Sequence, residues 1–344
     1  MRLVTFVKDA ETRIGALVED DALIVDFKSA SGGAFFASMQ SLIDGGHKAL
    51  EQARSLIADK RTADLVDRAD CRLLAPLPTP VQIRDCLCFP GHLEGAQRVT
   101  AKQMIAAAPD PDAKRAELEA AGFFQVSPKF YEFPLYYITN RMAVYGPDED
   151  IVWPGYSRFI DYELEFAAVI GRAGANIPTQ DARDHIFGFS VFNDWSARDE
   201  QLKVMGGAVN IGPGAGKDFA NSMGPCIVTA DEVDDPYRLD MIARVNGEEV
   251  SRGSSAGMHF KFEDLIAYLT RAHEIYPGEV ICSGTVGGGC AFEAEIQLAP
   301  DDVIELEIEG IGVLRNKVRA PHMSDQAGVT EQTIAAASAV LDRR

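Results

Sequence analysis

Apolar and polar positions alternate along much of the chain with a period of two, the pattern of β-strands. Residues 3–7, 15–18 and 22–25 are apolar segments separated by polar clusters, which predicts a small antiparallel meander over residues 1–26. Residues 36–59 follow the helical period in two pieces broken at Gly45-Gly46, the second with Leu50, Ala53, Leu56 and Ile57 on one face. Three prolines between Ala75 and Pro80 make a stiff connector. Asp110 as N-cap, Pro111 at the first helical position and Gly122 at the end predict a surface helix between them. From Tyr131 onward the chain is strand-rich: 136–145, 160–170, 187–192, 225–228, 241–250, 280–283, 291–298 and 303–318. The 241–250 segment is a hairpin turning on Asn246-Gly247. Phe262, Leu265, Ile266 and Leu269 mark one amphipathic helix, and residues 330–341 an alanine-rich tail helix. Strands without regular intervening helices predict a β-rich α+β fold of mixed or antiparallel sheet, not a doubly wound one. The expected division is a small N-terminal β module over 1–78, a main domain over 79–325 and a helical tail over 326–344.

One strand needs a closer look. In 160–170, Tyr162, Leu164 and Phe166 share one face while Asp161, Glu163 and Glu165 share the other. Three carboxylates within about 14 Å of strand repel one another unless water or a cation screens them. The stretch is therefore either a half-buried strand with a wet face or a cradle for a hard divalent cation. The chain carries its own control: residues 304–309 alternate in the same way through Glu305, Glu307 and Glu309, and Glu293 and Glu295 repeat the spacing. What surrounds residues 161–165 must decide.

Composition narrows the classes. With 344 residues and 47% hydrophobic content, the chain can bury a sizeable core. A net charge of −19 argues against nucleic acid or an anionic membrane surface as a partner. Six cysteines with no CxxC pattern suit a reducing compartment. No apolar run approaches the roughly 18 residues of a membrane span, and Lys8 and acids follow the first apolar residues without a signal-peptide pattern. A soluble cytoplasmic protein is expected.

The glycine-rich segment 206–217 is not a phosphate-binding loop, because Ile211 stands where a glycine is needed and Asp218 where Ser or Thr should meet magnesium. Lys217 beside it could reach an anion or lie at the surface. Gly284-Thr285-Val286-Gly287-Gly288-Gly289 is no dinucleotide fingerprint either, since a strand is expected to follow. Asn193-Asp-Trp-Ser-Ala-Arg-Asp199 is more unusual, placing two acids, an arginine and one of two tryptophans directly after an apolar strand. Its plain alternative is a salt-bridged corner at Arg198. Alone, Asp85 reads as a surface acid beside Arg84, and His92 as a solvated loop histidine. The six histidines show no zinc spacing, and no Gly-x-Ser-x-Gly elbow is present.

Taken in order, Asp161-Tyr-Glu-Leu-Glu165, the Asn193–Asp199 motif, Gly216-Lys217 and Gly284-Thr285 resemble the fumarylacetoacetate hydrolase family over roughly residues 80–320. The resemblance implies a mixed β-sheet roll or barrel preceded by a small N-terminal β module, often as a homodimer. It implies magnesium, calcium or manganese held by Asp85, Glu163, Glu165 and Asp194. It further implies His92 as base with Glu293 as its partner, Lys217 as a catalytic cation, and substrate contacts from Arg198, Gln201 and Thr285. Two departures put the substrate in question: Leu87 stands where the family often has an aromatic, and Tyr136-Tyr-Ile-Thr-Asn-Arg141 replaces a Lys-Pro-Ser segment. Tyr137 or Arg141 would take over that contact. The expected activity is hydrolysis of a carbon–carbon bond in a β-dicarbonyl acid, in aromatic-compound catabolism, by water that His92 activates. The alternatives are a decarboxylase, tautomerase or hydratase on a 2-oxo acid using the same metal site, and a catalytically silent metal-binding protein.

Overall fold

The computed structural model describes residues 1–31, 33–59, 64–205 and 212–320. The expected tail helix at 330–341 and the stretch 206–211 of the glycine-rich segment lie outside these residues.

The N-terminal meander forms as Arg2–Lys8, Glu11–Val18 and Leu23–Asp26. Its first strand pairs antiparallel with Asn221–Thr229, so it continues the sheet of the following chain. From that junction the sheet runs through Ile186–Asp194, Leu164–Ile170, Glu279–Cys282, Gln82–Cys86 and Tyr136–Ile138. Most pairs are antiparallel, but Glu279–Cys282 and Gln82–Cys86 run parallel, so the sheet is mixed. Its strand order has two ends and closes into no barrel among the described residues. A second, five-stranded sheet contains the hairpin Asp240–Val245/Glu248–Ser254, then Val303–Ile308, Gly312–Arg319 and Asp150–Val152. At the hairpin turn Asn246 and Gly247 take φ of 54° and 83°, the left-handed pair such a tight turn requires.

Leu164–Ile170 is buried at every position because both of its faces are covered. Phe166, Ala168 and Ile170 pack with the helix Phe262–Leu269 and with Leu306 and Leu314 of the second sheet. Ala167 and Val169 face the other way, into a core shared with Leu42, Ile43 and Ala53 of the helices Met39–Asp44 and Gly46–Asp59. The large sheet is thus the middle layer of the molecule.

Three local expectations need correction. The 160–170 strand is not continuous: Ile160–Asp161 pairs with Ser196–Ala197, and the ladder restarts at Leu164. Residues 291–298 form turns and irregular chain instead of a strand, with Ala291 and Leu298 buried. His92 lies within an 18-residue helix, Pro90–Ala107, in place of a loop. Only Gly95, Val99 and Ala101 of that helix are buried, so no apolar stripe announces it.

Candidate active site

Register alone brings three of the expected metal acids together. Asp85 pairs with Cys282, and Cys282 pairs with Ala167. Paired residues point to the same face, as do residues two apart along a strand, so Asp85, Ala167 and Glu165 share one face. Glu165 pairs with Phe192, which puts Asp194 on that face as well. The carboxylates of Asp85, Glu165 and Asp194 each offer an oxygen, all lying within 4.8 Å of one another. Asp85 and Asp194 are 2% and 1% exposed and Glu165 1%, so the face expected to be wet is dry.

Dry acids at this separation are costly to ionise. Burial, then the charge of Asp194, pushes the Asp85 carboxyl well above its ordinary range. Burial, then Asp85 and Asp194, does the same to Glu165. Few donors compensate. Tyr137, paired opposite Asp85, donates its hydroxyl to Asp85 Oδ2 at 3.1 Å and also to Asp194. The Gly284 amide donates to Glu165 Oε2 at 3.2 Å. Gly284 has φ +76° and its missing Cβ would meet the Cys86 carbonyl oxygen at 2.2 Å, so only glycine can bring this amide in. Asp194 Oδ1 is buried without a partner among the described residues. An all-oxygen set with an orphaned oxygen and two acids that resist ionisation fits a hard divalent cation.

Glu163 is placed differently from the other expected ligands. Burial would raise its pKa, but Lys217, Arg198 and His92 together outweigh that and hold it below the ordinary range. Lys217 Nζ donates to both Glu163 and Asp194. Burial would lower the lysine, and Asp194 and Glu163 instead hold it above its ordinary value, so it stays charged. Arg198 Nη1 sits 2.7 Å from Glu163 Oε1 and donates to Gln201 Oε1 at 3.0 Å. Its Nε donates to Asp161 Oδ2 at 2.7 Å. Asp161, fully buried, also accepts from the amides of Ala291 at 2.7 Å and Phe292 at 3.2 Å. It therefore ties Arg198 to the turn that carries Glu293.

That turn faces the N-terminal part of the 90–107 helix. His92 Nδ1–H donates to Glu293 Oε1 at 2.6 Å, while Nε2 looks inward, 4.0 Å from Glu163 Oε1. The Gly288 amide steadies Glu293 by donating to Oε2 at 2.9 Å. One turn along the helix, a Cβ on Gly95 would come within 1.9 Å of Glu293 Oε2. A mid-helix glycine costs about 1 kcal/mol relative to alanine, and here it makes the room in which the carboxylate reaches the imidazole. Cys290 Sγ lies 3.4 Å from Glu293 Oε1. Gly95 and Cys290 escaped the sequence reading; the glycine inside a helix was the available signal, and it required recognising the helix. Thr285 is buried close to Gly289, and no side-chain contact ties it to the acids. Arg141, the other residue considered beside Tyr137, donates to the Pro80 carbonyl and is committed to the connector.

Fold and site together have the arrangement of the fumarylacetoacetate hydrolase fold. Residues 112–319 match the family model described as the fumarylacetoacetate hydrolase C-terminal domain. The chain is 31% identical over 327 residues to the mitochondrial oxaloacetate tautomerase fahd2 of Xenopus laevis, covering 92% of this chain and 90% of that one. It is 39% identical over 188 residues to human mitochondrial oxaloacetate tautomerase FAHD2A, covering 54% of this chain and 59% of the human one. Among solved structures it resembles maleylpyruvate hydrolase from Sphingobium sp. SYK-6 in complex with manganese (II) ion and pyruvate, with TM-score 0.66 and 21% identity, over 94% of this chain and 100% of that one. The chain belongs to the fumarylacetoacetate hydrolase family.

The expected assignment as a carbon–carbon hydrolase is overturned, because the two sequence relatives, at 31% and 39% identity, are named as oxaloacetate tautomerases. The physical reason is that a histidine held by a carboxylate is a general base of no fixed target. It can take a proton from a carbon next to a carbonyl as readily as from water. The relatives are described as mitochondrial, which leaves the cytoplasmic expectation unsupported. In this chain no helix among the described residues is long and apolar enough to cross a membrane.

Proposed function

We propose that the chain is a divalent-cation-dependent tautomerase that interconverts the keto and enol forms of a small 2-oxo dicarboxylate of the oxaloacetate class. The direction of His92 supports a base at this site, since Nδ1 meets Glu293 and Nε2 is turned towards the acids, and the names of the sequence relatives favour enolisation over hydrolysis. Asp85, Glu165 and Asp194 would hold the cation, with Glu163 beside them. When bound, the cation supplies Lewis-acid polarisation of the substrate's ketone.

The remaining chemistry belongs to the chain. In the enol-to-keto direction, protonated His92 Nε2 delivers a proton to the enol carbon. The electron pair of the C=C bond forms the new C–H bond, the C=O bond forms, and the hydroxyl proton leaves. That proton restores Nε2 for the next turnover. Lys217, held charged by Asp194 and Glu163, offsets negative charge on the substrate oxygen as the proton leaves. Arg198, oriented by Asp161 and flanked by Gln201, binds a terminal carboxylate, and Thr285 and Tyr137 close the site around it. The dry setting strengthens each of these charge interactions.

The test dissolves enol oxaloacetic acid in buffer with the protein and Mg2+, Mn2+ or Ca2+, and follows loss of the enol's ultraviolet absorbance. Loss faster than the spontaneous rate is expected, and His92→Ala should abolish the gain while calorimetric cation binding persists. No acceleration with any of the three ions, or pyruvate release in place of enol loss, would reject the proposal.

A further inference from the structure

The base is itself part of a second cluster with a different ligand chemistry. A ring nitrogen of His92, Cys290 Sγ and a Glu293 carboxylate oxygen lie within 4.8 Å of one another. The Nδ1 to Oε1 distance is 2.6 Å and the Sγ to Oε1 distance is 3.4 Å. Nitrogen, sulfur and oxygen around one point are the donors of zinc-type sites, with bonds of roughly 2.0–2.3 Å and a tetrahedral arrangement. The sulfur–oxygen separation already suits that geometry. The nitrogen–oxygen separation needs only to widen by under about 1 Å as an ion replaces the shared proton. The Asp85, Glu165 and Asp194 trio offers oxygen alone, so the two clusters sort ions by hardness. The His92 side chain is 12% exposed and that of Glu293 1% exposed, so the cluster lies just beneath the surface on the histidine side.

We propose that His92, Cys290 and Glu293 form a site for thiophilic divalent ions such as Cd2+ or Zn2+, and that its occupation switches the base off. The switching rests on the tautomerase reading of His92; the binding does not. The proton inventory is closed. Without the ion, the pair of groups holds one proton on Nδ1 and one on Sγ, and Nε2 is bare. With it, Sγ and Nδ1 both bond to the ion, the imidazole's proton moves to Nε2, and the thiol proton leaves to solvent. Nε2–H then belongs to a neutral, ion-bound imidazole, which has no lone pair to take a proton and is a far weaker acid than the imidazolium that protonates the enol carbon. The Glu293 carboxylate is drawn into the same coordination and no longer orients the ring. Hard ions do not compete effectively for a thiolate, so Mg2+ at the acid trio and Cd2+ at this cluster can be present together.

The experiment titrates Cd2+ into protein saturated with Mg2+ and follows two signals. One is the ultraviolet thiolate-to-cadmium charge-transfer band, which needs no turnover. The other is enol-oxaloacetate consumption, scaled to each variant's own rate without Cd2+. A band saturating at one equivalent is expected, with at least a tenfold loss of rate that a chelating thiol reverses. Cys290→Ser should remove the band and raise the inhibiting concentration at least tenfold; His92→Gln, which leaves the thiol in place, should weaken the band's saturation by a similar factor. A band that persists undiminished in Cys290→Ser would overturn the site, placing the thiolate at another of the six cysteines. A Cys290-dependent band without loss of rate would overturn the switch alone. If oxaloacetate is not a substrate, the band still decides whether the site exists.

Discussion

Gly95→Ala isolates the His92–Glu293 contact from the fold around it. In an ordinary helix this change would stabilise by about 1 kcal/mol. Here the new Cβ would stand 1.9 Å from Glu293 Oε2, and Cβ contacts below 3.0 Å essentially do not occur. Glu293 must therefore retreat by about 1 Å, the difference between these distances. The obstacle is the end of a side chain, so the helix survives and the carboxylate moves. A 1 Å shift breaks a hydrogen bond of 2.6 Å and leaves the imidazole without its guide. Misplacement of that size costs on the order of 100-fold in rate, or about 2.7 kcal/mol of barrier. The assay is kcat on enol oxaloacetate, beside a thermal melt of the same preparation. The expected result is a rate loss of about two orders of magnitude with a melting temperature unchanged or slightly raised. A kcat within twofold of the parent would refute the role of the pair. A rate loss matched by unfolding would refute the claim that the clash falls on the carboxylate alone.

Other consequences follow from the same contacts. Asp161→Ala leaves the Arg198 guanidinium and two buried amides without their acceptor, a loss of about 4 kcal/mol. At roughly 2.1 cal/mol/K of unfolding entropy per residue over 344 residues, that lowers the melting temperature by about 6 °C; a fall under about 1 °C would show that the turn at 291 is held by something else. Saturating Mn2+ or Mg2+, at 100 times its dissociation constant, should stabilise by about 2.7 kcal/mol, and a chelator should reverse the gain. An unchanged melt with each ion would exclude the acid trio as a cation site. The gain should also depend on pH. Asp85 and Glu165 have folded pKa values raised above their unfolded ones, so the cation-free folded chain holds extra protons above about pH 4, and these acids lose stability as pH rises. A cation requires them ionised and reverses that sign, so its stabilisation should widen from about pH 5 to about pH 8; a flat or narrowing difference would contradict the shifts.

The outline of the fold was legible because its devices are local. The Asn246-Gly247 turn, the Asp110-Pro111 helix start and the break at Gly45-Gly46 each stand where residue chemistry put them. The helix at 90–107 was not legible, because its capping residue is Phe89, its side chain makes no cap, and its buried face is narrow and made of small residues. The 291–298 turns were misread for the opposite reason: polar Glu293, Glu295 and Gln297 alternate with apolar Ala294, Ile296 and Leu298, yet no partner strand stands beside them among the described residues. Of the site, the identities of the acids came from order and resemblance. Their geometry depends on four strands in register, with Glu279–Cys282 interposed between Gln82–Cys86 and Leu164–Ile170, a relation no local window contains.

The two alternating acidic strands show what burial adds to a pattern. In Val303–Ile308 the acids lie on an open face, where Glu307 pairs with Arg244 at 2.6 Å and Glu305 lies 3.8 Å from Arg315. Each has a basic neighbour near water, and such pairs contribute little to stability. In 161–165 the same spacing is taken below the surface, and the acids divide by what they meet. Asp161 meets an arginine and two amides, and its work is structural. Glu163 meets Lys217 and Arg198 and stays ionised. Glu165 accepts from one amide, and burial with the charges of Asp85, Asp194 and Glu163 outweighs Lys217, so it resists ionisation. One strand pattern thus yields an anchor, a counter-ion and, on the proposed function, a cation ligand. The choice among them is made by the sheet neighbours, so exchanging Glu163 and Glu165 for their amides should give different defects. Glu163→Gln strands the Lys217 and Arg198 charges and should lower stability even without a cation. Glu165→Gln relieves repulsion, and should raise cation-free stability while weakening cation affinity in a calorimetric titration. Equal effects of the two substitutions on both quantities would mean that the two acids share one role.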